Sequence, residues 1–340
     1  MLLLIREFIM NKKSYRHFIF RKILHNRLAL TGGIFIIILS LIAFFASLIA
    51  NDKPILVIYQ NRLLLPCIYV PQDLKQADWL NIINKSDFSI SPPIPYSPIG
   101  VNLNECLLAP SPSHWLGTDE NGRDVLARMI HGSRISLQVG IIAVGISLIV
   151  GVYLGAMAGY YGGWLDSLIS RFIEIMMCFP FFFLVLAVMA FLEPGIYKIM
   201  IVIGLTSWTG IARLTRGEFI KIRNEEYILA ARCLGLSNSK IIFRHILPNA
   251  IAPVLVSATF GIASAVLVES SLTFLGFGVQ IPTASWGEIL SQGHKYLTIA
   301  WWLPLFPGLA IFLTVLAYNL LGEGLRDALD PRLTGSGDSW

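Results

Sequence analysis

Apolar residues fall along this chain in blocks, each close to the length of helix that crosses a bilayer. Leu28–Ala50 holds 23 residues without a charge. As a helix rising ~1.5 Å per residue it slightly exceeds a hydrocarbon core of about 30 Å. Five further blocks follow: Ile135 to about Tyr160, about Leu168 to Leu192, about Ile199 to Leu214, about Ala250 to Phe274, and about Thr298 to Leu321. Their spacing predicts an all-α membrane protein with six transmembrane helices and a long extracytoplasmic segment after the first.

Composition points to the same solvent. Of the 340 residues, 55% are hydrophobic and 14% charged, whereas a soluble domain carries about 25% charged residues. Six spans place both termini on one side. The first 27 residues carry seven Lys or Arg against Glu7 alone, and Arg213–Ala250 carries another seven. The positive-inside bias therefore puts the N-terminus, the Arg213–Ala250 segment and the C-terminus in the cytoplasm. The net charge of +5 is divided among segments separated by apolar runs, which makes nucleic acid a poor partner. The Leu28–Ala50 run is longer than a signal-peptide core and follows a long basic region, so it reads as an uncleaved anchor.

The expected organisation is a cytoplasmic tail at 1–27, a first span at 28–50, an extracytoplasmic segment at 51–132, a helical core at 133–323 and a cytoplasmic tail at 324–340. Nine of the 17 prolines lie between Pro54 and Pro112, which disfavours long helices there. Short strands such as Ile55–Tyr59 and one helix at about Gly122–His131 are predicted instead. Thr334–Trp340 reads as a frayed end. Cys67 and Cys106 read either as free thiols or as a disulfide.

Ser147, Gly151, Gly155 and Gly159 recur every four residues and mark a close helix–helix contact, because small residues let backbones approach in lipid. Thr206, Ser207 and Thr209 make the fourth span locally polar, either as pore lining or for interhelical hydrogen bonds. Pro180, Pro253, Pro304 and Pro307 free carbonyls that need other partners.

Between the fourth and fifth spans lies a charged segment, EYILAARCLGLSNSKIIFRHILPN, residues 226–249. Tyr227, Ala230, Ala231 and Leu234 share one helical face. Gly235 is placed as a left-handed stop, and Ser237 as the cap of a second helix ending before Pro248. A helix pair this short and charged does not span. Its small residues instead suit close approach by another protein.

These residues carry a family resemblance. AAxxxG at Ala230–Gly235 and HILPN at His245–Asn249 resemble the coupling-loop motif of bacterial ABC importer permeases, at about 217–249 here. GTDENGRDVLARMIHGSRISL at Gly117–Leu137 and ESSLTFLGFGVQIPTASWGEIL at Glu269–Leu290 resemble the dipeptide, oligopeptide and nickel branch. The likeness runs from about Gly117 to Pro331. The segment after the first span is similar to the C-type subunit, and LIANDKPILV at Leu48–Val57 resembles the Yej-type peptide importers. Leu229 stands where many such permeases have a glutamate, and His245 where many have an isoleucine, which removes any argument from an acidic contact.

The resemblance implies a type I ABC importer permease core at 133–323 in a bacterial inner membrane. It implies a B-type permease partner, two ATPase domains and an extracytoplasmic peptide-binding protein. ATP and Mg would sit on the ATPase. The helix pair at about Glu225–Ile246, with Tyr227, Ala230, Ala231, Gly235, Leu236 and Ser237, would dock into that ATPase. Its closure would drag the fourth and fifth spans and switch the cavity between inward and outward access. Nickel or another small solute is the alternative cargo.

Other candidates have plainer readings beside them. No GxxxxGK[ST] occurs, so ATP binding falls to another polypeptide, although an ion-coupled secondary transporter would share that feature. Glu269, with Gly276 and Gly278, is a candidate outer gate; alternatively Glu269 snorkels or bonds to the Ser270–Phe277 turn. Glu174 lies three residues after Arg171, and an ion pair explains it more simply than a transport role. His245 reads as a helix C-terminal residue, and His114 and His131 lack ligand company, so no metal site or bound cofactor is expected. No nucleophile–base set suggests an enzyme. Trp286, Tyr296, Trp301 and Trp302 read as interface anchors.

Overall fold

A computed structural model describes Lys22, residues 24–59, residues 62–67, Trp79, Ile82, Ser86 and residues 88–329. Most of the N-terminal tail and the tail beyond residue 329, including Thr334–Trp340, lie outside the described residues. Helix α1 spans Arg27–Phe44, and the Asn26 side chain starts it by accepting from the Leu28 and Ala29 N–H groups at 3.1 and 3.2 Å. A short α2, Ala46–Ile49, completes the first predicted block. Strands β1 (Leu56–Tyr59), β2 (Arg62–Leu64) and β3 (Phe88–Ile90) form an antiparallel sheet in the order β2–β1–β3.

Helix α3, Val125–Tyr161, fuses what the sequence suggested were two elements, the Gly122–His131 helix and the second span. Asp124 caps it by accepting from Ala127 N–H at 2.7 Å, and nothing downstream breaks it. Gly132 is tolerated inside because it lies against Trp286, whose Cδ1 would be 3.1 Å from an added Cβ. At 37 residues, roughly 55 Å, α3 must extend beyond the hydrocarbon.

The third predicted span is broken. Helices α4 (Gly163–Cys178) and α5 (Phe181–Ala190) meet at an angle of 81°. Pro180 lies at that break, with no N–H to continue α4. Helix α6 covers Ile196–Arg223, followed by the short α7, Glu226–Cys233. Helix α8 runs unbroken over Asn238–Phe274. It is followed by α9 (Trp286–Lys295) and α10 (Trp302–Leu329). By length and apolarity α1, α3, α8 and α10 qualify as membrane spans, and the α4–α5 pair makes a fifth if taken as one crossing. Helix α6 occupies the fourth predicted block but falls short, carrying Lys198 and Arg213 around its polar Thr206–Thr209 stretch. The count of six therefore remains a proposal.

Helices α3 and α6 form the central contact. An added Cβ at Gly151 would lie 2.8 Å from Trp208 O, one at Gly155 2.4 Å from Ala212 O, and one at Gly159 2.7 Å from Arg216 O. Ser147 Oγ donates to Gly204 O at 2.8 Å. Partner numbers rise along both helices, so the two run parallel. Helices α4 and α5 provide the return between them.

Gly155→Leu should therefore lower stability by about 1–3 kcal/mol, the usual cost of overpacking. Thermal unfolding of the purified protein in detergent checks it. A lipid-facing control, Phe312→Leu at a residue 60% exposed, should leave the midpoint nearly unchanged.

Candidate functional site

The helix pair between α6 and the long α8 is built by three local features. Helix α6 ends at Arg223 and only Asn224 and Glu225 separate it from α7. Gly235 has φ +77, a left-handed value that side chains oppose, and it turns the chain out of α7. Ser237 occupies the cap position of α8, but its side chain makes no capping bond.

Helix α8 then does not stop before Pro248. It passes through a π turn at Ile241–Ile246, where Leu247 N–H reaches back to Ile242 O. This wider turn lets the chain continue although Pro248 supplies no N–H. The expected second helix and the fifth span are thus one piece. His245 lies inside this helix rather than at a C-terminus, and its carbonyl accepts from Asn249 Nδ2 at 2.8 Å.

The faces of α7 divide sharply. Ile228 and Ala231 turn inward and pack with Tyr160, Phe219, Ile241 and Ile246. Tyr227, Leu229, Ala230 and Leu234 are exposed, Leu234 at 80%. Gly235 and Ser237 are exposed and Leu236 is half-buried. Of the predicted docking residues, Ala231 has its methyl in the inner cluster, and the neighbouring Leu229 is exposed. Arg232 lies 5.3 Å above the Tyr160 ring, and Tyr160 Oη donates to Asn238 Oδ1 at 2.7 Å, tying the pair to the end of α3.

Sequence reasoning missed a second tie. Arg216 on α6 grips Asp166 on α4 with Nε–Oδ1 at 2.5 Å and Nη2–Oδ2 at 2.7 Å. The bidentate fork fixes orientation as well as charge. Only spatial proximity across 50 residues reveals it. The Arg171–Glu174 pair at 2.8 Å is surface-exposed and contributes little.

At the other end of the bundle Glu269 is fully buried and does not snorkel. It accepts from Thr273 at 3.0 Å, Ser270 at 3.3 Å and Ser136 of α3 at 3.5 Å. Gly276 is exposed with φ +88, whereas a Cβ on Gly278 would strike Thr273 Oγ1 at 1.9 Å. Trp286 and Trp302 are not interface anchors. Both are buried, with indole N–H bonds to Met129 O at 3.0 Å and Thr118 O at 3.1 Å.

Beside them lies a buried charge network. Asp119 Oδ2 accepts from Arg123 Nε at 2.7 Å and lies 3.4 Å from Arg128 Nε. Arg128 also donates to Pro98 O at 3.0 Å and pairs with Glu288 of α9, which Gln292 bonds in turn. Burial pushes the Glu288 carboxyl up, against the pull of Arg128 downward. His114, expected to stand alone, faces Asp124 at 2.9 Å and Glu105 at 3.4 Å. Among the described residues no group of three His, Cys, Asp or Glu side chains is arranged to hold a metal. Cys67 and Cys106 are both free, donating to Lys53 O and Leu103 O.

Helix α7 is thus packed by one face against the end of a bundle of apolar helices and leaves the other face exposed. Residues 151–335 match the family "Binding-protein-dependent transport system inner membrane component", and residues 14–66 match the "N-terminal TM domain of oligopeptide transport permease C". The chain belongs to this binding-protein-dependent ABC importer permease family, and is a multi-pass inner-membrane transport subunit rather than an enzyme. It is 47% identical over 232 residues to the dipeptide transport system permease protein DppC of Alkalihalophilus pseudofirmus, covering 68% of this chain and 76% of that one. It is 39% identical to the peptidoglycan transport system permease protein YejE of Agrobacterium fabrum, covering 87% and 88%. It is 37% identical to the glutathione transport system permease protein GsiD of Escherichia coli, covering 94% and 91%. Membership in this family implies a paired permease, an ATPase and a solute-binding protein.

Arg128→Ala should destabilise the folded chain by about 3–5 kcal/mol, because it leaves Glu288 buried without its cation, while Asp119 keeps Arg123. Denaturant unfolding of the purified protein measures it. Replacing Glu193, whose pair with Lys198 is exposed, should change stability by less than about 1 kcal/mol.

Proposed function

We propose that this chain is the C-type permease of an ATP-driven importer for peptides or modified peptides. It pairs with a B-type permease, two ATPase domains and an extracytoplasmic peptide-binding protein, with both termini in the cytoplasm. The observation that carries this reading is the outer face of α7. Tyr227, Leu229 and Leu234 are 47%, 48% and 80% exposed on a basic, non-spanning segment. Apolar side chains held out on a rigid mount suit burial in a partner's groove.

The mechanism follows from how α7 is attached. Its inner face is packed on α3, α6 and α8 through Tyr160, Phe219 and Ile246, so a push on it is passed into those spans. An ATPase that closes on nucleotide contacts α7 differently in its two states, and that difference biases inward against outward access. This chain holds and moves the path; it makes or breaks no bond. Peptide cargo is supported by the names of the relatives, dipeptide and glutathione transport permeases among them.

Gly235→Val tests the lever. No atom lies within 4 Å of an added Cβ, so the substitution creates no clash in the chain itself. Forcing a β-branched residue to positive φ costs roughly 1–2 kcal/mol. The variant should reach the membrane, yet lose at least ten-fold in ATP-driven peptide uptake. Uptake at the normal rate, with normal coupling of hydrolysis to transport, would refute the role given to this turn.

A further inference from the structure

A cavity of about 450 Å³ lies among α3, the bend between α4 and α5, α6 and α8. That is within the range of small-molecule sites, roughly 300–1,000 Å³. Six hydroxyl side chains line it: Ser147, Thr206, Ser207, Thr209, Ser257 and Ser264. Met176, Met177 and Phe181 supply apolar wall, and no Asp, Glu, Lys, Arg or His takes part. Charges begin only in the adjoining pocket, which shares Met177 and is lined by Glu174, Arg213 and Arg216.

The hydroxyls have a definite polarity. Thr206 donates to Val202 O at 2.7 Å; Ser147 and Ser207 lie 2.5 Å apart, and their two protons are shared among that mutual bond, Gly204 O at 2.8 Å and Ile203 O at 2.6 Å. A hydroxyl has one proton, so what these three have left to offer is oxygen lone pairs. Thr209, Ser257 and Ser264 make no hydrogen bond to the described residues and remain free to donate or accept. Unpartnered hydroxyls gathered on facing helices have no reason to face acyl chains, where each would go unsatisfied. Water or a polar solute satisfies them.

We propose that this cavity is the chain's share of the solute path and that it takes short peptides by their backbone amides, without regard to side-chain charge. The proposal rests on the peptide-importer reading above. Backbone N–H groups meet the committed hydroxyl oxygens, and backbone carbonyls meet the free hydroxyl protons. A fixed charge in a wall of low dielectric would hold opposite charges and repel like ones. A neutral wall does neither, which suits a path whose cargo varies in side chain but shares one backbone.

The test uses the complete importer with its partner subunits in proteoliposomes. Three tripeptides of equal length, with a neutral, an acidic or a basic central residue, are each transported by wild type and variant. Dividing variant by wild-type rate for each peptide removes the preference of the binding protein. Thr209→Asp should lower this ratio at least ten-fold further for the acidic peptide than for the basic one, and Thr209→Val should treat all three alike. Equal ratios for the three peptides with Thr209→Asp overturn the proposal.

Thiol labelling gives an independent reading if Thr209→Asp moves nothing. With the four native cysteines replaced by alanine, Thr209→Cys and Ser264→Cys should react with a charged, water-soluble maleimide, and lipid-facing Phe312→Cys should not. Protection of both cavity positions overturns the proposal. A wild-type complex that moves none of the three peptides refutes peptide cargo here and in the reading above. Labelling then still reports whether the cavity is an aqueous path.

Discussion

Lipid gives two apolar helices no hydrophobic reason to meet, so the contact of α3 with α6 depends on side chains that are missing. Gly151, Gly155 and Gly159 let the α6 carbonyls approach to distances that any Cβ would block. Ser147 adds a hydrogen bond to Gly204 at one end, and Phe219 packs by Gly159 at the other. Because the two helices run parallel, the seam keeps α6 in fixed register beside the 37-residue α3. The mount of α7 depends on that register. Two residues join α7 to α6, and Leu234–Ser237 join it to α8.

Polarity is partitioned along the bundle in a way that fits a moving part. At one end Asp119, Arg123, Arg128 and Glu288 are buried and paired, locking α9 to the start of α3. Such pairs add little net stability when intact, but breaking one leaves a buried charge uncompensated. At the other end α7 leaves apolar side chains in the open. Between them the cavity is neutral. The buried charge pairs thus lie away from the cavity, and in the proposed mechanism the solute meets no charge until it passes Met177.

Much of this was legible in the sequence because the relevant signals are local. Hydrophobic run length located five of the apolar helices, Gly235 announced its turn by residue type, and the four-residue repeat of small side chains sets out one face of α3. The failures share a different cause. The fusion of the external helix with the second span depends on Trp286, 154 positions beyond Gly132, accommodating that glycine. The break at Pro180 and the passage through Pro248 are opposite outcomes for the same residue type, decided by whether the neighbouring turn can widen. Ala231 is buried although it shares the stripe of Tyr227 and Ala230, because periodicity identifies a stripe but not which part of it is covered. Trp286, Trp302 and His114 were read by composition, whereas long-range contacts decide their roles. No sequence signal disclosed the Asp166–Arg216 fork, and of the hydroxyl-lined cavity only the polar Thr206, Ser207 and Thr209 stretch was legible, because Ser147, Ser257 and Ser264 reach it from other helices.

The central claim is that α7 is a lever pushed by a separate ATPase, and photocrosslinking from its most exposed residue tests this directly. A photoreactive amino acid replacing Leu234 in the assembled importer should yield an adduct with the ATPase subunit, its yield changing between nucleotide-free and ATP-bound states. An adduct formed only with lipid or with the external binding protein, and none with the ATPase in either state, would contradict the account.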